Sequence, residues 1–161
     1  MGDVGSVKRI GLISDTHGLL REEAARALAG SELILHAGDV GKAEILEKLR
    51  TIAPVVAVRG NIDTGAWAAA LPMSATVEAG GGRIYVLHDM HQLDFDPAEA
   101  GYGMVISGHS HRPGRTEKGG VVYVNPGSAG PRRFRLPITV ARLEAGAAWT
   151  VEWIDLAETR R

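Results

Sequence analysis

The sequence predicts an α/β protein made of two β-sheets packed face to face, with helices on the outside. Three observations predict it. The first half alternates short apolar runs with amphipathic stretches, the second half reads almost entirely as short strands, and glycine-rich turns rather than linkers separate the pieces. No internal repeat or low-complexity tract interrupts them, so residues 1–161 read as a single domain.

The first strand is expected over Lys8 to Ser14, where Ile10, Leu12 and Ile13 lead into Asp15. A helix follows over residues 20–29, because Leu20, Ala24 and Leu28 fall four apart on one face. Glu32 to His36 is a second, buried-type strand. Residues 42–50 place Ile45, Leu46 and Leu49 on one helical stripe, and Pro54 to Val58 is a valine-rich third strand. This βαβαβ order argues for parallel strands with helical crossovers.

The second half offers strands over Thr76 to Glu78, Arg83 to Leu87, Met104 to Ser107, Val121 to Val124, Ile138 to Leu143 and Trp149 to Ile154. Gly80-Gly81-Gly82, Gly119-Gly120 and Ala145-Gly146 mark turns between them. Asp96, Pro97 and Glu99 occupy N-cap, N1 and N3 positions, so a short helix is expected there.

Composition excludes several classes of function. Apolar residues are 45% and charged residues 23%, the balance of a soluble globular domain and not of a disordered or membrane chain. The net charge of -1 gives no global field to attract nucleic acid. Arg132, Arg133 and Arg135 form the best local candidate for a basic patch, equally readable as a solvated turn. Cysteine is absent, which removes disulfides, thiolate nucleophiles and sulfur ligands together. With no signal peptide and no stretch long enough to span a bilayer, a cytoplasmic location is expected. Met1, Gly2 and Ser6 match the loose myristoylation pattern, a match short enough to arise by chance.

The chemistry gathers at strand ends. Asp15 and His17 follow the first strand, Gly38-Asp39 the second and Gly60-Asn61 the third. His88 follows Arg83 to Leu87, and Gly108-His109-Ser110-His111 follows Met104 to Ser107. Ligands of open α/β sheets bind at the carboxyl ends of the strands, so the five pieces converge in space. Imidazole with carboxylate suits Mn, Fe, Zn, Ni or Co better than Ca or Mg. Seven side chains exceed the coordination of one ion and suit two with a shared carboxylate. If the backbone is extended, residues i and i+2 point the same way, so Asp15 with His17 and His109 with His111 would each face one cavity. Taken singly, Asp-x-His is common and Gly-Asp is usually a turn. The ordered set carries the reading, and it takes four of the six histidines.

Asp15-Thr16-His17, Gly38-Asp39, Gly60-Asn61-Ile62-Asp63, His88 and Gly108-His109-Ser110-His111 together resemble the calcineurin-like metallophosphoesterase superfamily. The short chain and Asn125-Pro126-Gly127-Ser128 are similar to its small prokaryotic phosphodiesterase branch. The resemblance runs from the first strand to about residue 130. It implies a four-layer αββα sandwich of two mixed sheets, and a dinuclear centre between them. One ion would take Asp15, His17, Asp39 and His111, and the other Asp39, Asn61, His88 and His109, with Asp39 bridging. It also implies hydrolysis of phosphate esters, most readily phosphodiesters, by a hydroxide held between two divalent transition-metal ions, manganese being favoured. Asp39 and Asn61 thereby count as catalytic as well as ligating.

Two departures bear on the general acid. Many members have His after the Asn of the third motif, and here that position is Ile62, which has no proton to give. Asp63 keeps its place but has no such His to orient. The small branch often has a Gly-His pair after the ligand His, and here the run is Asp89-Met90-His91. His91 is therefore the candidate acid, against the plainer reading of an exposed loop histidine. His36 is expected to be structural, with support of the site as the alternative. Asn125 to Ser128 is expected to be mainly structural.

The expected partner is a small phosphodiester or nucleotide-like substrate, with no membrane and no strong nucleic-acid signal, and a homo-oligomer is left open. No cap domain or long insertion is evident to define a substrate pocket. Two other functions compete. The same fold serves as a non-catalytic scaffold in a subunit of the retromer trafficking complex, where the ligands are incomplete. The intact set here favours an enzyme. A phosphomonoesterase or nucleotide pyrophosphatase would use the same ligands.

Overall fold

A computed structural model describes residues 7–133, 135–145 and 148–157. Met1, Gly2, Ser6 and the Gly146 half of one expected turn lie outside them. Among the described residues, ten strands form two five-stranded mixed sheets. The first has the order β10-β9-β1-β2-β3, from Trp149–Asp155, Thr139–Ala145, Arg9–Ile13, Leu33–His36 and Val55–Ala57. The second has the order β4-β5-β6-β8-β7, from Ser74–Ala79, Gly82–Leu87, Met104–Ile106, Val121–Asn125 and Gly114–Lys118. β1, β2 and β3 are mutually parallel, as are β5, β6 and β8. The remaining pairs are antiparallel.

Strand alternation sorts the apolar residues into layers. Ile10 and Leu12 of β1, with Leu33 and Leu35 of β2, meet Ile84, Val86, Met104 and Ile106 of the other sheet in the central core. Ile13 and Ile34 point the other way, onto α1 (Glu22–Ala27) and α2 (Ala43–Arg50). Ala24 and Leu28 of the first helical segment and Ile45, Leu46 and Leu49 of the second complete that layer. Gly11 lets α1 approach closely, since a Cβ there would sit 2.7 Å from Leu28. The sandwich is thus the expected one, with a thinner fourth layer. Over the second sheet, Leu93 and its neighbours pack on Tyr85 and Tyr123 from a segment whose only regular piece is a 3-10 turn at Met90–Gln92.

The structure corrects one expected element and adds another. Asp96 does cap, accepting from the Ala98 N–H at 3.0 Å, but the chain makes only a hydrogen-bonded turn that ends at Gly101, whose φ is +86°. An added strand, β7, follows the His109–His111 loop and pairs along its length with β8. All five of its residues are exposed. Arg132, Arg133 and Arg135 are exposed in irregular chain. Among the described residues, no helix is long and apolar enough to cross a membrane.

Candidate metal centre

β1, β2, β3, β5 and β6 each release the chain at their carboxyl end into a loop that carries one piece of the predicted set. The Asp15 and Asp39 loops are zipped together beyond the sheet. Asp15 N–H donates to Gly38 O, His17 N–H to Asp39 O and Gly18 N–H to Val40 O, at 3.0, 2.9 and 2.8 Å.

Each carboxylate has one oxygen held by the protein and one free. Asp15 Oδ2 accepts from Ser14 Oγ at 2.7 Å and from His109 N–H at 3.1 Å. Asp15 Oδ1 accepts nothing, although it is buried, and faces His111 Nε2 at 3.4 Å, His17 Nε2 at 3.8 Å and His88 Nε2 at 3.9 Å. Asp39 Oδ1 accepts from Ile62 N–H at 3.1 Å, while Oδ2 lies 3.3 Å from His88 Nε2 and 3.5 Å from His17 Nε2. His109 turns Nδ1 toward His88 Nε2 at 3.3 Å. His88 Nδ1 donates to Ala37 O at 2.8 Å, which leaves Nε2 to face the cluster.

These atoms fall into two overlapping groups able to hold an ion: Asp15, His17 and His111, and Asp15, Asp39 and His88. Asp15 Oδ1 and His17 Nε2 are buried without any hydrogen-bond partner. A buried polar atom left unpaired is costly, and a cation among oxygen and imidazole donors removes that cost. The residues therefore fit divalent metal. Electrostatics agree. Burial opposes ionising Asp15, but His111, His17 and Ser14 outweigh it and hold its carboxyl well below the usual range. Burial likewise opposes charge on Asp39, and His88 brings the net shift down. For His88 burial favours the neutral ring, yet Asp39 and Asp15 raise its pKa overall.

The structure brings together Asp15, His17, Asp39, His88, His109 and His111. Asn61 is exposed in the loop after β3, directly after Gly60, which touches Asp39 so closely that any Cβ would collide. His91 does not join the cluster. Its ring is 92% exposed, with Nδ1 3.0 Å from Asp89 Oδ1. Asp89 Oδ2 in turn lies 3.8 Å from His109 Nε2.

One expected piece of geometry is wrong. Asp15, His17, His109 and His111 share a cavity without extended backbone. Together with Asp39 they are the five non-glycine residues at positive φ among the described residues, between +48° and +72°. Left-handed backbone costs such residues roughly 1–2 kcal/mol each, and such strain collects at functional sites. Pattern reading cannot see it, and the neighbouring glycines were the only hint.

Three supports surround the cluster. Asp63 is buried and accepts from Val40, Gly41 and Gly60 N–H at 3.1, 2.9 and 2.9 Å, tying the Asp39 loop to the Asn61 loop. It is not an idle partner of a missing histidine. Asn125 Nδ2 donates to Gly108 O and Ser110 Oγ, both at 3.1 Å, and Ser128 Oγ donates to Asp15 O at 3.1 Å. The Asn125–Ser128 turn thus braces both ligand loops. His36 is fully buried between the Thr16 and Gly38 segments.

A two-sheet sandwich with carboxylates and imidazoles clustered at its strand ends defines a metal-binding α/β protein. The profile of the calcineurin-like phosphoesterase superfamily domain matches residues 9–147. A probable metallophosphoesterase from Methanothermobacter thermautotrophicus is 36% identical over 148 residues, spanning 84% of this chain and 86% of the relative. The chain belongs to the calcineurin-like phosphoesterase superfamily. Among solved structures, a novel archaeal phosphodiesterase superposes with a TM-score of 0.76 at 22% identity, covering 91% of this chain and 99% of that one. The wild-type Vps29 of Entamoeba histolytica, complexed with Zn²⁺, superposes at 0.70 with 21% identity, covering 92% and 99%. At such identities the likeness is one of fold.

Proposed function

We propose that this protein is a cytoplasmic phosphodiesterase, one metallophosphoesterase domain working with two divalent transition-metal ions, manganese being favoured. The observation that carries the reading is the pair of carboxylates, each with one oxygen held by hydrogen bonds and the other turned to imidazole nitrogens. In this reading Asp15, His17, Asp39 and His111 hold one ion, and Asp39, Asn61, His88 and His109 the other. Asp39 is assigned as the shared ligand on the family pattern; its Oδ2 lies 3.5 and 3.3 Å from His17 and His88, one from each set, closer than Asp15 Oδ1, which faces the same two rings at 3.8 and 3.9 Å.

Such a pair of ions supplies an activated water and a clamp on the phosphoryl oxygens. The protein's own share is orientation. Ser14 and the His109 N–H aim Asp15, the Ile62 N–H aims Asp39, and Ala37 O fixes the tautomer of His88. Water's oxygen ends on phosphorus, the ester P–O bond breaks, and a monoester and an alcohol leave. Ile62, 40% exposed beside Asp39, gives the leaving oxygen no proton. His91, held to Asp89 at the edge of the cleft, is the remaining candidate.

The names of the archaeal relative and of the archaeal phosphodiesterase support hydrolysis of phosphate esters. The test is metal-reconstituted protein assayed on phosphodiesters, monoesters and dinucleotides. Turnover of diesters well above monoesters is expected. Activity confined to monoesters would favour the phosphomonoesterase reading, and none on any ester would favour a scaffold.

A further inference from the structure

A cleft of about 690 Å³ opens beside the cluster and includes its Gly108, His109 and the adjoining Asp89. It is formed by the Met90–Leu93 segment on one side and the β7–β8 hairpin on the other. The size lies within the roughly 300–1,000 Å³ usual for small-molecule sites, and far exceeds what a compact diester fills. Tyr123 contributes a half-buried aromatic ring, and Met90 and Leu93 contribute apolar surface. Arg112 and Lys118 line it as exposed cations without an ion pair among the described residues. The one carboxylate in the lining, Asp89, is engaged by His91.

Two kinds of recognition thus lie next to the reacting centre. An aromatic face with apolar flanks takes a flat ring. Unpaired cations take an anion additional to the phosphate at the cluster. We propose that this cleft seats one ester group of the substrate, and that this group is a nucleoside bearing a second phosphate. The base lies against Tyr123, which pairs with Thr116 midway along β7, and Lys118, at the end of that strand far from the cluster, meets the second phosphate. The substrate class is then a phosphorylated nucleotide diester, not a compact alkyl one. This rests on the phosphodiesterase reading above.

The experiment uses metal-loaded full-length protein and three substrates: bis-nitrophenyl phosphate, a dinucleotide with a terminal phosphate, and the same dinucleotide without it. The expected result is a preference of about tenfold in kcat/KM for the phosphorylated dinucleotide, carried by KM. Lys118→Ala is expected to erase that preference, and Lys118→Arg to retain it. Equal kcat/KM for the two dinucleotides in the wild type, or a preference that survives Lys118→Ala, overturns the cleft assignment. Failure on bis-nitrophenyl phosphate as well overturns the phosphodiesterase reading instead. The cleft is then judged by calorimetry, where adenosine 3′,5′-bisphosphate binding no tighter than adenosine monophosphate overturns it.

Discussion

The Thr16 hydroxyl lies 3.0 Å from His36 Nε2 and donates its one proton to Val40 O at 2.8 Å. The ring nitrogen must therefore donate to the hydroxyl. The Gly38 N–H donates to Nδ1 of the same ring at 3.1 Å, so that nitrogen carries no proton. His36 is a neutral strut with both nitrogens in use, fastening the loop of Asp15 and His17 to the loop of Asp39. Full burial, only partly offset by Asp15 and Asp63, pushes its pKa down to about 4.

That depression predicts a pH dependence of stability. The unfolded ring titrates near 6.5, and the folded ring resists protonation until about pH 4. Stability from this group is full above about 6.5 and is lost as pH falls toward 4, by about 2 kcal/mol at pH 5. Urea unfolding of metal-free protein at pH 7.5 and pH 5 measures it. His36→Gln should be less stable at pH 7.5 and lose less on acidification. His88, whose pKa is raised, acts in the opposite sense in both proteins and cancels in the comparison. Equal losses in wild type and variant would show that His36 is not the linked group.

Asp63 predicts a separate effect, on metal affinity. Asp63→Ala leaves the Val40, Gly41 and Gly60 N–H groups without their acceptor. A buried donor left unsatisfied costs about 1–3 kcal/mol, so thermal unfolding should fall clearly. Since the same bonds set the Asp39 and Asn61 loops, metal affinity should drop by about 10–100-fold, as for other outer partners of ligands. Metal titration followed by calorimetry checks this. Unchanged affinity in a folded variant would confine Asp63 to stability.

Much of this site was legible because its chemistry uses residue types that stand out. Asp15, Asp39, His88 and His109 follow apolar strands in a chain with few histidines. What stayed hidden depends on backbone and on distant partners. β7 is Gly-Arg-Thr-Glu-Lys, with no apolar residue to betray a strand, and is held by its ladder to β8. Without that strand, the cleft that Tyr123 and Lys118 line is invisible too. Asp63 looked like a leftover because its three donors come partly from residues 22 and 23 positions away. Asp96 has real capping chemistry, but Gly101 ends the turn before a helix is established.

Asp39→Asn tests the shared ligand. The amide keeps an oxygen for the Ile62 N–H but removes the charge that faces His17 and His88. Wild-type protein should retain close to two metal equivalents after reconstitution, and the variant fewer. Turnover should fall by more than the about 10–100-fold typical of outer partners. His36→Gln, which removes only a strut, should be milder. Elemental analysis and steady-state rates check both, and near-normal turnover in the Asp39→Asn protein would reverse the assignment.

The last prediction follows from Ile62. General acid catalysis contributes about a hundredfold to ten-thousandfold, and it matters most when the leaving alkoxide is a poor one. Ile62 has no proton to give, and its backbone N–H is already spent on Asp39. His91 is the only imidazole lining the cleft outside the ligand set among the described residues, but it is largely in solvent, with Nδ1 turned to Asp89. A ring so placed protonates a leaving oxygen poorly. The rate should therefore depend steeply on leaving-group pKa, and aryl diesters should be cleaved far faster than dialkyl ones. A series of substituted aryl phosphodiesters measures this, with kcat/KM plotted against leaving-group pKa while chemistry limits the rate. His91→Ala should leave a steep plot steep. Ile62→His should flatten it for the poorer leaving groups, provided Asp63 can orient the new ring while keeping its three N–H bonds. A flat plot in the wild type that turns steep in His91→Ala would make His91 the acid, reached by a movement about Asp89.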